Sequence, residues 1–243
     1  MSIRMAALGV AAGLIVLVGG SAAQAGIIVG PVAIHNDSDS GISAAKTYTH
    51  ALDFVDDSSP ATINGVTFTA AGTSGANWSS TGLTGNMGEG GGVNGNGESV
   101  LPPAGQDLRK LFLDFFYNSA GGNETLTLTG LVTGQTYETR VYYRRWSNED
   151  RTNKVTFDEG TGQSQFISVD QDYVGETPDH EYVLSYDYTA GASGQLNITF
   201  ERTNNANASW HQYGLTNEVT PEPATLALLA LGGFGLLIRR KRA

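Results

Sequence analysis

The residue types that most often carry out catalysis are scattered in this chain. Its histidines include no pair at the i, i+2 or i, i+4 spacing that binds a metal ion locally; they are His35, His50, His180 and His211. No Gly-x-Ser-x-Gly turn marks a serine nucleophile, and the chain has no cysteine. We therefore expect a protein that is not an enzyme. A secreted hydrolase is the alternative, because this chain has many acidic residues, and two of them could form the pair of carboxylates that glycoside hydrolysis needs.

One acidic segment has the spacing of part of a calcium loop. Asp37 and Asp39 stand at i, i+2, and Gly41 follows them. The segment is not an EF-hand, because Tyr48 occupies the twelfth position from Asp37, where a glutamate is required. Two interpretations stay open: a structural calcium ion held by Asp37 and Asp39, or an acidic turn in water.

The tryptophans are the other candidates for binding chemistry. Carbohydrate-binding surfaces use exposed aromatic rings, on which the apolar face of a pyranose stacks. Trp78 lies in a Gly-rich stretch, and Trp146 ends a predicted strand beside Arg144 and Arg145. These positions make Trp78 and Trp146 the candidate ligand contacts. The alternative is that the aromatic side chains fill the core.

The N-terminus has the three parts of a secretory signal peptide. Arg4 is followed by the apolar stretch 6–20 and by the small-residue site Ala23-Gln24-Ala25. We predict that residues 1–25 are a signal peptide, which signal peptidase removes after Ala25.

The C-terminus carries a second targeting segment. Pro221, Glu222 and Pro223 precede an apolar stretch, residues 224–238. The stretch is closed by a cationic cluster, Arg239, Arg240, Lys241 and Arg242. An apolar run followed by cations is typical of a stop-transfer segment, so 224–238 is predicted to be a short transmembrane helix. Its length is below the ~20 residues that a bilayer core needs, which suits a processed signal better than a permanent anchor.

This C-terminal arrangement resembles the PEP-CTERM sorting signal of Gram-negative bacteria. The resemblance covers residues 221–243 and implies that a membrane peptidase, exosortase, removes the tail and releases or transfers the protein to the cell surface. It also implies an exported protein that is transiently anchored in the membrane. A plain C-terminal anchor is the alternative.

The charge of the remaining chain excludes one class of partner. Of 14 Lys+Arg and 24 Asp+Glu in the whole chain, the two ends take Arg4, the four terminal cations and Glu222, leaving 9 cations against 23 acids. This net charge near −14 repels phosphate backbones, so we do not expect a nucleic acid partner. About 195 residues suffice for one domain with a hydrophobic core.

The middle of the chain is predicted to be all-β, a single antiparallel β-sandwich over residues 26–219, followed by the sorting signal, 220–243. Period-two alternation and turn residues predict strands at 52–55, 62–63, 66–68, 125–129, 136–146, 154–158, 165–170, 181–188, 195–202 and 210–219. Asn64-Gly65 is a strong hairpin signal. Leucines and phenylalanines at helical spacing predict one short helix over 106–118. The Gly-rich stretch 73–97 is expected to be a surface loop.

Phrases in the middle region are similar to sandwich domains of other PEP-CTERM proteins. They are Gly41-Ile42-Ser43 to Tyr48-Thr49-His50, 63–68, and 126–131 followed by Gly134-Gln135-Thr136-Tyr137. The nearest superfamily that this region resembles is the galactose-binding-like jelly roll, which implies a jelly-roll fold and, near the chain ends, a structural calcium ion.

Together these observations predict an exported, surface-sorted, non-catalytic protein of the extracellular matrix or biofilm that binds extracellular polysaccharide. A structural or adhesive matrix protein with no defined ligand is the alternative.

Overall fold

The computed structural model describes residues 26–55, 59–88, 101–146, 150–172, 181–203 and 209–220. Within these ranges the chain forms one short helix and many strands. The strands are β1 (Ile27–Ile34), β2 (Thr47–Asp53), β3 (Thr62–Ile63), β4 (Val66–Thr67), β5 (Thr69–Ala70), β6 (Trp78–Thr81), β7 (Gly85–Met87), β8 (Phe115–Tyr117), β9 (Glu124–Leu128), β10 (Thr136–Arg144), β11 (Thr152–Asp158), β12 (Gln165–Asp170), β13 (Glu181–Thr189), β14 (Leu196–Arg202), β15 (His211–Gln212) and β16 (Gly214–Val219), and the helix is α1 (Leu108–Leu111).

Two large sheets form the sandwich. The first has the strand order β1-β13-β10-β16-β2-β5, and the second has the order β12-β11-β14-β9-β6. The pairs within them are antiparallel except for β2 with β5. The small sheet β15-β8-β7 lies at one end, and β3 and β4 form a hairpin. The predicted all-β sandwich is confirmed.

Alternating side chains from the two large sheets meet in one core. On β10, Tyr137, Val141 and Tyr143 are buried. Across the core, the ring of Phe157 on β11 stacks on Tyr186 of β13, with centroids 4.6 Å apart. Period-two burial of apolar side chains on both sheets is the contribution that holds a sandwich together.

The Asn64-Gly65 prediction is confirmed. These residues join β3 to β4, with φ of 49° at Asn64 and 79° at Gly65. A two-residue turn with both φ values positive matches the twist of the paired strands, and Asn-Gly adopts it at low cost.

The helix predicted over 106–118 is present only in its first half. Its stripe Leu108, Leu111, Phe112, Phe115 and Phe116 is buried as expected. After α1, however, the chain turns, and β8 pairs with β7 and β15 instead of continuing the helix. Aromatic residues favour strands. The backbone pairing of β8 with strands on both of its edges therefore outweighs the helical preference that the spacing of its apolar residues indicates.

The prediction of a surface loop over 73–97 is also wrong in part. Strands β6 and β7 lie within it, and β6 pairs with β9. Strand β6 consists of Trp78, Ser79, Ser80 and Thr81. A pattern this short cannot be distinguished from a polar loop by sequence. Residues 89–100 lie outside the described part of the chain.

No helix within the described ranges is long and apolar enough to cross a membrane. The predicted signal peptide, 1–25, and the predicted span, 224–238, lie outside those ranges.

Candidate functional site

The structure places the two candidate tryptophans differently. Trp78 lies on β6 with 4% of its surface exposed, and its ring meets Phe54 edge-on at 5.6 Å. The expectation that Trp78 is exposed is therefore wrong, because β6 turns its side chain into the core. Trp146 lies two residues beyond the end of β10 and is half-buried.

Trp146 belongs to an aromatic cluster at one end of the sandwich. We define this aromatic cluster as Phe115, Tyr117, Trp146, His211 and Tyr213. Phe115 is its centre: ring centroids lie 4.0 Å away for His211, 5.0 Å for Trp146, 5.1 Å for Tyr213 and 5.8 Å for Tyr117. Trp146 and Tyr117 are half-buried and reach the surface, whereas the other three are buried.

Several strands hold this cluster in place. Phe115 and Tyr117 come from β8, which pairs with β15, the strand that carries His211. The backbone N–H of Trp146 donates to Asp172 Oδ1 at 2.8 Å. Because ring positions are set by strand pairing and a buried carboxylate, the aromatic surface is ordered before any ligand arrives.

A buried ion pair continues this support beneath the surface. Arg151 Nε donates to Asp172 Oδ2 at 3.0 Å, and Arg151 Nη1 donates to the carbonyl of Ser209 at 2.8 Å. Three segments outside the described residues, 147–149, 173–180 and 204–208, begin or end next to Trp146, Asp172 and Ser209. The described residues that flank these three segments therefore meet in one network.

Arg144 is the second buried cation at this end. It has no exposed surface, and its guanidinium lies 5.5 Å from the Trp146 ring centre and 5.1 Å from that of Tyr213. Its Nε donates to the carbonyl of Phe112 at 2.9 Å. A desolvated guanidinium over aromatic faces is a favourable arrangement, so Arg144 fixes the two rings relative to each other.

Burial favours the neutral form of the cluster histidine and of two nearby carboxyl groups. Burial, with the nearby Arg151 and Arg144 charges, lowers the pKa of His211 well below its usual value. Burial raises the pKa of Glu124 to about 8; Gln212 donates to this carboxyl at 2.9 Å. Burial likewise raises the pKa of Glu181 to about 8. These groups are buried components of the end of the sandwich and are not displayed on its surface.

The candidate calcium residues have structural partners. The Asp37 carboxylate accepts the backbone N–H groups of Asp107 at 3.1 Å and Leu108 at 2.6 Å, and so holds the start of α1. Asp39 Oδ2 accepts from Asn36 Nδ2 at 2.7 Å. Among the described residues, no group of three or more His, Cys, Asp or Glu could hold a metal ion. Calcium binding by Asp37 and Asp39 stays a prediction.

A cavity of about 290 Å³ lies elsewhere, along β2 and β6. His50 lines it, with Nε2 2.9 Å from the Asn77 carbonyl oxygen and Nδ1 3.0 Å from Thr49 Oγ1. Burial lowers the pKa of His50. Both ring nitrogens of His50 therefore have partners within the protein.

Sequence reasoning identified Trp146 but missed Phe115, Tyr117 and His211. Phe115 and Tyr117 lie within the helix predicted over 106–118, and no spacing pairs His211 with another histidine. No local signal joins the three parts of the cluster, residues 115–117, 146 and 211–213, because about 30 to 100 positions separate them and they meet only in the fold.

Comparison with known proteins identifies the C-terminus. Residues 219–242 match the family described as the PEP-CTERM protein-sorting motif. All the candidate sorting residues, Pro221, Glu222, Pro223, Arg239, Arg240, Lys241 and Arg242, lie within the match. The chain thus carries a sorting motif of exported, surface-sorted proteins, as predicted.

The rest of the chain has distant structural likenesses. CBM35 from Cellvibrio japonicus Abf62 has a TM-score of 0.30 and 10% identity, over 42% of this chain and 70% of that chain. An exo-beta-1,3-galactanase from Phanerochaete chrysosporium, with beta-1,3-galactotriose, has a TM-score of 0.29 and 17% identity, over 63% of this chain and 31% of that chain. Among curated proteins, none is significantly similar. Similarity at this level does not indicate a function.

Proposed function

We propose that this protein binds extracellular polysaccharide at the cell surface, through the half-exposed rings of Trp146 and Tyr117, and that it is not an enzyme. The observation that carries the proposal is the ordered aromatic cluster, in which two rings reach water while Phe115 supports them from below. Sugars stack on such rings because their axial C–H groups form an apolar face. The sorting motif supports a location where polysaccharide is present.

Arg145, which precedes Trp146 in the chain, is half-exposed. Charged donors beside an aromatic ring suit a ligand with both an apolar face and many hydroxyl groups. The buried positions of Glu124, Glu181 and Asp172 support binding over catalysis, because these carboxyl groups are covered by the protein.

We expect Trp146→Ala to weaken polysaccharide binding by about fivefold, since one stacking ring contributes on the order of 1 kcal/mol. Binding of the purified protein would be screened on a glycan array and quantified by calorimetry, with and without a calcium chelator. Phe166→Ala is the matched control, because Phe166 is also exposed but lies on β12, outside the cluster.

Equal losses from Trp146→Ala and Phe166→Ala would argue against the aromatic cluster as the site. No binding to any polysaccharide, with calcium present, would favour a structural or adhesive matrix protein. New reducing ends appearing during incubation would favour the hydrolase. Loss of binding only after chelation would support the calcium ion expected at Asp37 and Asp39.

We expect the surface form to run from Gly26 to about Pro223. Strand β1 begins at Ile27, so cleavage after Ala25 leaves the sandwich intact. A side chain at position 26 would meet the Tyr186 ring at 2.2 Å, so the structure needs the small residue that cleavage would leave first. Mass spectrometry and N-terminal sequencing of surface material test this. A start at Met1 would contradict export processing, and an intact tail on most copies would favour a permanent anchor.

A further inference from the structure

The tail leaves the sandwich at the end opposite the aromatic cluster. Val219, the last residue of β16, pairs with Tyr137 near the start of β10, whereas Trp146 follows the end of β10. Nine strand residues at about 3.3 Å each separate the two ends by roughly 30 Å. Anything held by the tail is therefore held on the far side of the molecule from the aromatic cluster.

No linker lies between the fold and the sorting motif. The Thr220 N–H donates to the Thr136 carbonyl at 3.0 Å, and the Thr220 carbonyl accepts from Thr136 Oγ1 at 2.9 Å. The matched motif itself begins at position 219, within the last strand. The chain is thus fixed to a central strand up to the residue before Pro221.

The loops around this exit form a surface that we call the tail-exit pole, residues 130–135, 160–164 and 190–195. None of these residues is charged, although the domain as a whole is strongly acidic. Two half-exposed charged residues flank the pole: Asp158, which accepts the Gly160 N–H at 2.9 Å, and Lys46, next to the residue that pairs with Val219. Val132 is 65% exposed there. The turn that presents it is ordered: the Val132 N–H donates to the Tyr137 hydroxyl at 2.9 Å, and the Gln135 N–H donates to the Val132 carbonyl at 3.0 Å.

Chain length then limits how far this pole can stand from a bilayer. Four residue steps from Thr220 to position 224 reach at most about 14 Å. The headgroup layer itself occupies roughly 5 to 8 Å on each side of the hydrocarbon core. The helix predicted over 224–238 would reach about 22 Å, less than the ~30 Å core, so a tail that spans the membrane would draw its flanking residues into the headgroups.

We propose that, before the tail is cut, the tail-exit pole lies against the lipid headgroups and the aromatic cluster points away from the membrane. The inference rests on the membrane anchoring by the tail that the sequence predicts. An uncharged pole suits this position, because the acidic remainder of the surface is repelled by anionic lipids. The anchored protein would thereby present its polysaccharide-binding end to the extracellular matrix.

The absence of cysteine from the chain allows a direct test with single-cysteine variants. Val132→Cys places a fluorescent probe on the pole, and Thr203→Cys places one beyond β14, at the end that holds the aromatic cluster. The intact chain would be reconstituted into phosphatidylethanolamine–phosphatidylglycerol vesicles that contain a lipid with a nitroxide on its headgroup. We expect the probe at position 132 to lose most of its fluorescence and the probe at 203 to lose little.

An insertion variant tests whether the short connection between the domain and the tail is what holds position 132 near the bilayer. A flexible insert of about 20 Gly and Ser residues between Thr220 and Pro221 adds roughly 25 Å of reach, so quenching at position 132 should fall toward that at 203. Quenching at 132 that survives the insert would overturn the tether argument. If the probe at position 132 is quenched only when exosortase is added, the tail-exit pole contacts the peptidase, and the proposed lipid contact is wrong.

Vesicle flotation distinguishes this inference from the proposed function. A chain that does not float with the vesicles would overturn the anchoring and the inference together. A chain that floats but shows equal quenching at 132 and 203 would overturn the inference alone. Glycan binding is measured separately, and its failure would leave the quenching result unchanged.

Discussion

Phe112→Asp should leave the domain unfolded. The Phe112 side chain is fully buried at the end of α1, and its ring lies 5.7 Å from that of Tyr213. Losing the burial of a phenylalanine costs about 1.5–3 kcal/mol, and burying a carboxylate in its place costs several more. The sum approaches the 5–15 kcal/mol that stabilises a typical domain.

The measurement is near-ultraviolet circular dichroism with thermal unfolding, on the wild type and two further variants. Phe112→Ala removes the ring without adding charge and should lower the free energy of unfolding by about 3–5 kcal/mol. Phe166→Asp is the matched control, because Phe166 is 64% exposed, and it should unfold close to the wild type. A soluble Phe112→Asp protein with an unchanged melting temperature would show that the apolar stripe is not packed.

Phe112 also shows which features the sequence could predict. The spacing of Leu108, Leu111 and Phe112 predicted burial correctly, since a stripe of large apolar residues must find a partner surface. The same spacing could not predict that β8 would replace the second helical turn. That outcome depends on pairing with β7 and β15, whose positions are set by distant parts of the chain.

The same limit applies to the candidate site. Local patterns predicted the long strands β10 to β14, because alternation repeats over enough residues to be distinctive. They could not rank Trp78 against Trp146, since exposure depends on which neighbours cover each ring. A two-residue strand such as β15 has no pattern of its own, so the place of His211 under Trp146 was not predictable.

We expect the domain to lose stability as the pH rises from about 5 to about 8. Burial raises the pKa of Glu124 from 4.5 to about 8, although Gln212, Asn118 and the Arg151 charge act in the opposite direction. Between these two values the folded protein keeps a proton that the unfolded chain has lost. The contribution of protonated Glu124 to the free energy of unfolding is therefore fully present below pH 4.5. It is lost as the pH rises through 8.

Glu124→Gln should remove this part of the pH dependence. Its amide oxygen can still accept the Asn118 N–H, which donates to Glu124 Oε1 at 3.0 Å, and its amide nitrogen can donate to Gln212 once that side chain's amide rotates. Because the amide cannot ionise, the variant should match the wild type near pH 5. Above pH 8 it should exceed the wild type by on the order of a few kcal/mol in the free energy of unfolding.

Urea unfolding at a series of pH values measures this difference, with Glu201→Gln as the matched control. Glu201 lies on β14 beside β9, but its side chain is 49% exposed and pairs with Lys154 at 3.7 Å. Removing an exposed carboxylate should change stability by less than ~1 kcal/mol at any pH. Glu181, whose pKa burial also raises to about 8, stays in all three proteins, so its contribution cancels from the comparison. A constant difference between Glu124→Gln and the wild type from pH 5 to 8.5 would show that Glu124 is charged throughout, and that its carboxylate is stabilised by the Asn118 and Gln212 donors despite its burial.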